Sequence, residues 1–170
     1  KIAQVRTTPH AVRGLQTIPS LVADSVTVTG QVSVLDFRDE RGLISLMPGA
    51  TSTPSWRDFF LTVPNVAASP NGAPVMLYGG TKETTLLVAA QNAAHGMATI
   101  GIDMPHHGAL IAHERWLIDL ARPSTAGQLV DSLLQGELEN VAVVQAIQTS
   151  LASLDVAPHR WWQPGGDGIP

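Results

Sequence analysis

Cysteine is absent from the 170 residues, which excludes a disulfide framework, a thiol nucleophile and a thiolate zinc centre. Its absence leaves the compartment open, since exported and cytosolic proteins can both lack it. Charge is scarce as well. Asp, Glu, Lys and Arg make up 14% of the chain, against about 25% in an ordinary soluble domain. Lysine occurs only as Lys1 and Lys82. Ten basic residues against 14 acidic ones, a net charge of −4, offer no basic face to a nucleic acid. They also supply no polybasic run to hold an anionic membrane surface. No stretch of about 20 consecutive apolar residues occurs, so no segment reads as a membrane-spanning helix.

What is present is enough to fold. A chain that is 44% hydrophobic with so few charges is not a disordered one. Its length suits one domain or a little more, large enough for a core without disulfides or metals. The first residues, Lys1-Ile2-Ala3-Gln4, are neither an initiator methionine nor a signal peptide. The expectation is that a leader was removed or that the chain begins inside a longer one.

No internal repeat or low-complexity tract is found, but the chain changes character along its length. Residues 1–63 read as β-rich. Val26, Val28, Val32 and Val34 alternate with Thr27, Thr29, Gln31 and Ser33, the period of a strand with one buried face. Asp39–Gly42 reads as a turn, Gly49–Ser55 as a loop, and Phe59–Val63 as a short strand ended by Pro64. Asn65–Pro74 reads as a surface connection. Pro74–Tyr78 is a continuous apolar run closed by Gly79-Gly80, the pattern of a strand buried on both faces. Thr81 is placed to cap a helix over Lys82–His95, with Glu83 in its first turn. Leu86, Leu87, Ala90 and Ala94 would form the inner face of that helix. Gly96 stands where a glycine closes a helix, and Met97–Ile102 reads as a second buried strand ending at Asp103. Strand, glycine turn, helix, glycine, strand is a βαβ unit with parallel strands. Beyond it, a short helix is expected near Trp116–Leu120 and another at Gln128–Leu134. The strongest helix signal covers Glu137–Leu154, with Leu138, Val141, Val144, Ile147, Leu151 and Leu154 three and four apart.

Ligands of parallel sheets bind beyond the carboxyl ends of the strands. Here those ends are Gly79-Gly80-Thr81 and Asp103-Met104-Pro105-His106-His107-Gly108. N–H groups after a glycine turn at a helix start can hold a phosphate or an oxyanion. The phosphate reading lacks both G-x-G-x-x-G and G-x-x-x-x-G-K-[ST], and Lys82 follows the glycines without the spacing of the second motif.

Residues 74–108, ending in Asp103-Met104-Pro105-His106-His107-Gly108, resemble the first βαβ unit of α/β-hydrolases, in particular large bacterial extracellular lipases and esterases. These carry an apolar strand into a His-Gly or Gly-Gly turn, a helix of small residues, and an apolar strand ending in Asp-x-Pro-x-His-Gly. Phe60–Pro64 resembles the preceding strand, and the helix from Glu137 the one before the nucleophile strand. The resemblance covers roughly residues 57–170. It implies an α/β fold: the N-terminal half of a mostly parallel sheet with helices on both faces. Residues 1–56 would form a β-rich antiparallel segment before it, and residues 57–170 the first part of the hydrolase domain. Two departures stand out. The turn Tyr78-Gly79-Gly80-Thr81-Lys82-Glu83 is shorter than usual and lacks the histidine. No serine lies in the G-x-S-x-G elbow the family needs.

The resemblance therefore implies a carboxylic-ester hydrolase whose serine, acid and histidine lie in a partner chain carrying G-x-S-x-G, which would also complete the sheet. No catalytic residue and no cofactor is expected in this chain. It would supply the oxyanion turn through the N–H groups of Thr81 and Gly80, next to Gly79, while Tyr78, His106 and His107 border the pocket. The substrate would be an ester or lipid-like small molecule, and a bacterial secreted or periplasmic location follows from the same resemblance. Two other readings stay open. One is a non-catalytic α/β binding or interaction subunit. The other is a metal-dependent hydrolase using Asp103, His106 and His107, although two histidines and one carboxylate make only part of a site. His95, before the closing glycine, suits a cation at a helix end. His10, His113 and His159 have no recognisable context. Trp161-Trp162 suit packing of the C-terminal stretch, and the single carboxylate of Asp167 cannot make a calcium loop.

Overall fold

The computed structural model describes residues 1–45, 47, 49–65, 75–105, 122 and 125–150. The described elements are α1 (Ile2–Thr7), β1 (Val12–Ile18), β2 (Ser25–Asp36), β3 (Thr53–Pro64) and β4 (Val75–Gly80). They continue with a 3-10 turn (Lys82–Thr84), α2 (Thr85–Ala94), β5 (Ala98–Asp103) and α3 (Ala126–Ser150). The expected helix near Trp116–Leu120, the end of the expected helix at 151–154, His113, His159, Trp161, Trp162 and Asp167 lie outside the described residues.

The five strands form one sheet in the order β1-β2-β3-β5-β4. Only β4 and β5 run parallel; β1–β2, β2–β3 and β3–β5 are antiparallel. The α/β class holds, but the expectation of a mostly parallel sheet is corrected to a mixed, mostly antiparallel one. The reason lies in β3. It is 12 residues long rather than a short strand, and it takes in the end of the expected Gly49–Ser55 loop. It pairs with β2 without a break from Ser25↔Pro64 to Asp36↔Thr53. Its other edge pairs antiparallel with β5 as well, and the parallel geometry is confined to the βαβ unit. Residues 56 and 57, where the change of unit is expected, are neighbours inside β3.

Helices cover both faces. On the inner face Val28, Val32, Val34, Phe59, Leu61, Val63, Ala98, Ile100 and Ile102 pack against Ala142, Val143, Ala146 and Ile147 of α3, with Val5 of α1 at one end. Alternate residues of β2 and β3 supply this layer, as a period of two requires. The opposite face is small and polar where α2 lies on it. There α2 buries Thr85, Ala89 and Asn92, four and three apart. The expected inner face of Leu86, Leu87, Ala90 and Ala94 is thus wrong, and Leu87 is 83% exposed. The surface that α2 meets explains this. A Cβ on Gly101 would collide with the side chain of Thr85, so the helix rests directly on the β5 backbone. Asn92 Nδ2 donates to Thr99 Oγ1 at 2.8 Å. Gly96, at φ +69, closes the helix as expected.

The long helix departs from its apolar pattern for a similar reason. It begins at Ala126 and is described to Ser150, so the stretch expected at Gln128–Leu134 and the one expected from Glu137 run as one helix. Its buried side carries Gln135 and Glu139, both 0% exposed, while Val144 faces outward. These two polar residues meet Arg57 of β3, which is 4% exposed. Arg57 Nε donates to Glu139 Oε2 at 2.9 Å and Arg57 Nη2 to Glu139 Oε1 at 2.7 Å. Gln135 Nε2 donates to Glu139 Oε1 and to Leu35 O, and Gln135 Oε1 accepts from Phe37 N. Arg57 Nη1 donates to Ser55 Oγ at 2.7 Å. Asp36 joins at 3.5 Å from Arg57 and binds Arg38 at 2.7 Å.

The two carboxyls respond differently. Burial pushes Glu139 up, against the pull of Arg57 and Gln135. Burial also raises Asp36, but its hydrogen bonds from Arg38 and the charges of Arg38 and Arg57 outweigh that and hold it below the ordinary aspartate value. The signs follow by linkage. Ionised Asp36 stabilises the fold above its unfolded value, and that gain is lost as pH falls through its lowered one. Glu139 costs stability as pH rises through its raised value.

Two pairs of variants test this architecture. Glu139→Leu leaves Arg57 buried with no acceptor on α3 and is expected to cost about 3–5 kcal/mol in urea unfolding at neutral pH. The double change Arg57→Met with Glu139→Leu is expected to recover most of that loss. Gly101→Ala drives a methyl into Thr85 and is expected to cost about 1–3 kcal/mol; adding Thr85→Ala, which removes Cγ2 and Oγ1, should relieve most of it.

Candidate functional site

The parallel register brings the two strand ends side by side, with Gly79 opposite Ile102 and Gly80 opposite Asp103. Tyr78 lies opposite Gly101 and is partly buried. Thr81 follows in an extended conformation, φ −98 and ψ 139. Its side chain makes no capping hydrogen bond. Instead its carbonyl accepts from Thr84 N at 3.1 Å and Thr84 Oγ1 at 2.7 Å, and the chain turns through one 3-10 turn before α2 begins. The glycine turn, Thr81 and the start of the helical segment are thus together at the carboxyl end of the parallel pair, where such sheets bind ligands.

The strongest interaction at this end is one the sequence reading did not single out. Asp103, 2% exposed, receives Lys82 twice: the backbone N–H on Oδ1 at 2.9 Å and Nζ on Oδ2 at 2.9 Å. Lys82 Nζ also lies 2.9 Å from Glu83 Oε1 and 5.9 Å from the centroid of Phe60, within reach of a cation–π attraction. Burial works against the ammonium. The hydrogen bonds and charges of Asp103 and Glu83 outweigh it and hold Lys82 above the ordinary lysine value. One N–H after the glycines, that of Lys82, is therefore already engaged.

The chain then runs into Met104, whose side chain lies where a Cβ on Gly136 of α3 would be, and into the buried Pro105. His106 and His107 lie outside the described residues. No cluster of three or more His, Cys, Asp or Glu side chains able to hold a metal occurs among the described residues. Asp103, the described member of the proposed metal set, already carries a cation in Lys82. No described helix is long and apolar enough to cross a membrane.

No family model matches the sequence, and no curated protein matches it. Among solved structures the chain is similar to an acetyl xylan esterase from Paenibacillus sp. R4, with a TM-score of 0.39 and 19% identity. That similarity covers 64% of this chain and 30% of the esterase chain, so the chain spans under a third of its length.

The Lys82–Asp103 pair makes a prediction with a definite sign. A lysine held above its ordinary value contributes stability below its unfolded value and loses it as pH rises through the raised one. Lys82→Met is expected to lower the urea midpoint at neutral pH. The gap from the unsubstituted protein should narrow above about pH 10.5. In hydrogen exchange, the amides of residues 79–82 should open before those of β2 and β3.

Proposed function

We propose that this chain is the N-terminal part of a carboxylic-ester hydrolase of the α/β-hydrolase type, exported from a bacterium. It contributes the oxyanion turn at Gly79, Gly80 and Thr81. The observation that carries the reading is the parallel β4–α2–β5 unit, with its glycine turn and Asp103 on adjacent strand ends. In this reading a serine from a partner chain carrying G-x-S-x-G attacks the acyl carbon of an ester or lipid-like substrate. The developing oxyanion accepts hydrogen bonds from the N–H of Thr81, and next from that of Gly80. Lys82 and Asp103 hold the turn in place and do not touch the substrate. Tyr78 borders the pocket from β4, and His106 and His107 border it from the loop after β5.

Two further observations support a second chain. β4 ends the sheet among the described residues, and a strand edge of apolar residues invites pairing. The outward side of α3 is apolar too: Val130 is 54% exposed, Leu133 and Leu134 each 51%, and Val144 37%. These four flank the exposed Glu137, and an exposed apolar patch rimmed by polar residues marks an interaction surface.

The test uses the protein purified from its own source, treated with a fluorophosphonate that reacts with activated serines. The expected result is labelling of an associated chain, none of the 18.0 kDa chain, and loss of activity toward short acyl esters. Labelling of this chain would overturn the division of labour. A preparation that neither labels nor hydrolyses any ester would point to the non-catalytic binding subunit instead.

A further inference from the structure

His10, which has no context in the sequence, occupies a definite place in the fold. It follows α1 and sits in a cleft of about 390 Å³ lined by Arg6, Thr8, Gln145 and Thr149 among others. Both ring nitrogens face backbone carbonyls. Nδ1 is 2.9 Å from Ser33 O of β2, and Nε2 is 2.9 Å from Val5 O of α1. A carbonyl oxygen only accepts, and a neutral imidazole carries one N–H. Both contacts are hydrogen bonds only when both nitrogens bear a proton. In either neutral tautomer, one ring lone pair would point at a carbonyl lone pair.

We propose that His10 is a pH-gated clasp. Its imidazolium form ties α1 to β2, and loss of one proton releases α1. The surroundings suit this role. Val5 O belongs to the C-terminal half of a six-residue helix, where a cation is favoured by the helix dipole. The charged side chain lining the cleft is Arg6, from α1 itself, and it opposes the imidazolium. α3 contributes Gln145 and Thr149 and β2 contributes Ser33, none of which titrates near neutrality. Among the described residues α1 has other ties, beginning with its N-cap Lys1, whose Nζ lies 5.2 Å from the centroid of the Phe37 ring. Val5 is buried in the core at 1% exposure, Gln145 Nε2 donates to Arg6 O at 3.2 Å, and Gln4 Nε2 reaches Ser52 Oγ at 3.3 Å. A six-residue helix is not stable by itself, so weakening one tie is felt by the whole element.

The test is read on the intact chain over about pH 5 to 8, the range in which imidazoles change charge. Protection factors, corrected for the intrinsic pH dependence of exchange, are measured for the amides of Val5 and Thr8, which donate within α1. They are expected to fall about tenfold or more as pH rises, the effect of losing a charge-assisted hydrogen bond. Amides of β2 and β3 should keep theirs. Ring ¹⁵N resonances of His10 at the acid end should show both nitrogens protonated. His10→Ala should give weak α1 protection without that pH dependence. A neutral ring at the acid end, or α1 protection that does not change with pH in the unsubstituted protein, would overturn the proposal. Both of those measurements stand even if His10→Ala does not fold.

Discussion

A guanidinium and a carboxylate withdrawn from water stand between the sheet and its longest helix, and neither can be there without the other. Each ion alone would pay several kcal/mol of lost hydration. Together they form a two-pronged contact, and the remaining lone pairs and protons are taken up by Gln135, Ser55 and Asp36. A hydrophobic contact tolerates sliding, whereas this one has a single geometry. It fixes where α3 crosses β3 and, through Gln135, where it meets the end of β2. With α3 held there, Ala142, Val143, Ala146 and Ile147 fall over the inner face of the sheet. Gly136 falls against Met104 beyond the end of β5. The pair is therefore less a source of stability than a register mark, and the chain after Asp103 is placed by it.

The other face of the sheet is set by absence of bulk. Gly101 lets Thr85 rest on the β5 backbone, and that close approach lowers the start of α2 toward the strand ends. Lys82, three residues earlier, is then near enough for both its amide and its ammonium to reach Asp103. A larger residue at 101 would lift the helix and part that contact. The glycine that permits the packing and the ion pair that closes the turn are consequences of one another. Together they explain why a polar helix face meets a polar strip of sheet in a chain otherwise rich in apolar residues.

Most of this organisation was legible where residue pattern and structure obey the same rule. The alternation in β2, the apolar runs of β4 and β5, the closing glycine at Gly96 and the parallel crossover could all be read from the sequence. The misreadings come from positions where a polar residue does the work of a core residue. Gln135 and Glu139 broke the apolar periodicity of α3, so its start was misjudged; Leu138, Val141 and Ile147 do face the core, while Val144 does not. Thr85 and Asn92 did the same in α2, because a hydrophobic count cannot see a glycine on the neighbouring strand. The mostly parallel sheet failed for another reason: strand direction is decided by partners, and the commitment of β3 to β2 is a long-range fact. At the candidate site the glycine turn and Asp103 were recognised, but Lys82 was set aside because it fitted no phosphate motif.

That lysine separates the chemistries open to the turn. A phosphate site holds a ligand that is anionic throughout, and uncompensated positive charge strengthens it. Lys82 is not such a charge, since Asp103 and Glu83 both lie at 2.9 Å from its Nζ, and one cation against two carboxylates leaves the corner negative. A resting anion is disfavoured there. An acyl oxyanion is different: the substrate arrives neutral and negative charge appears only on one oxygen as the bond forms. Directional N–H groups a hydrogen bond away stabilise that charge without any net cation, because they are already oriented when it develops. In the proposed function, the lysine thus serves the turn by being neutralised. It keeps Gly80 and Thr81 in position and takes no part in binding.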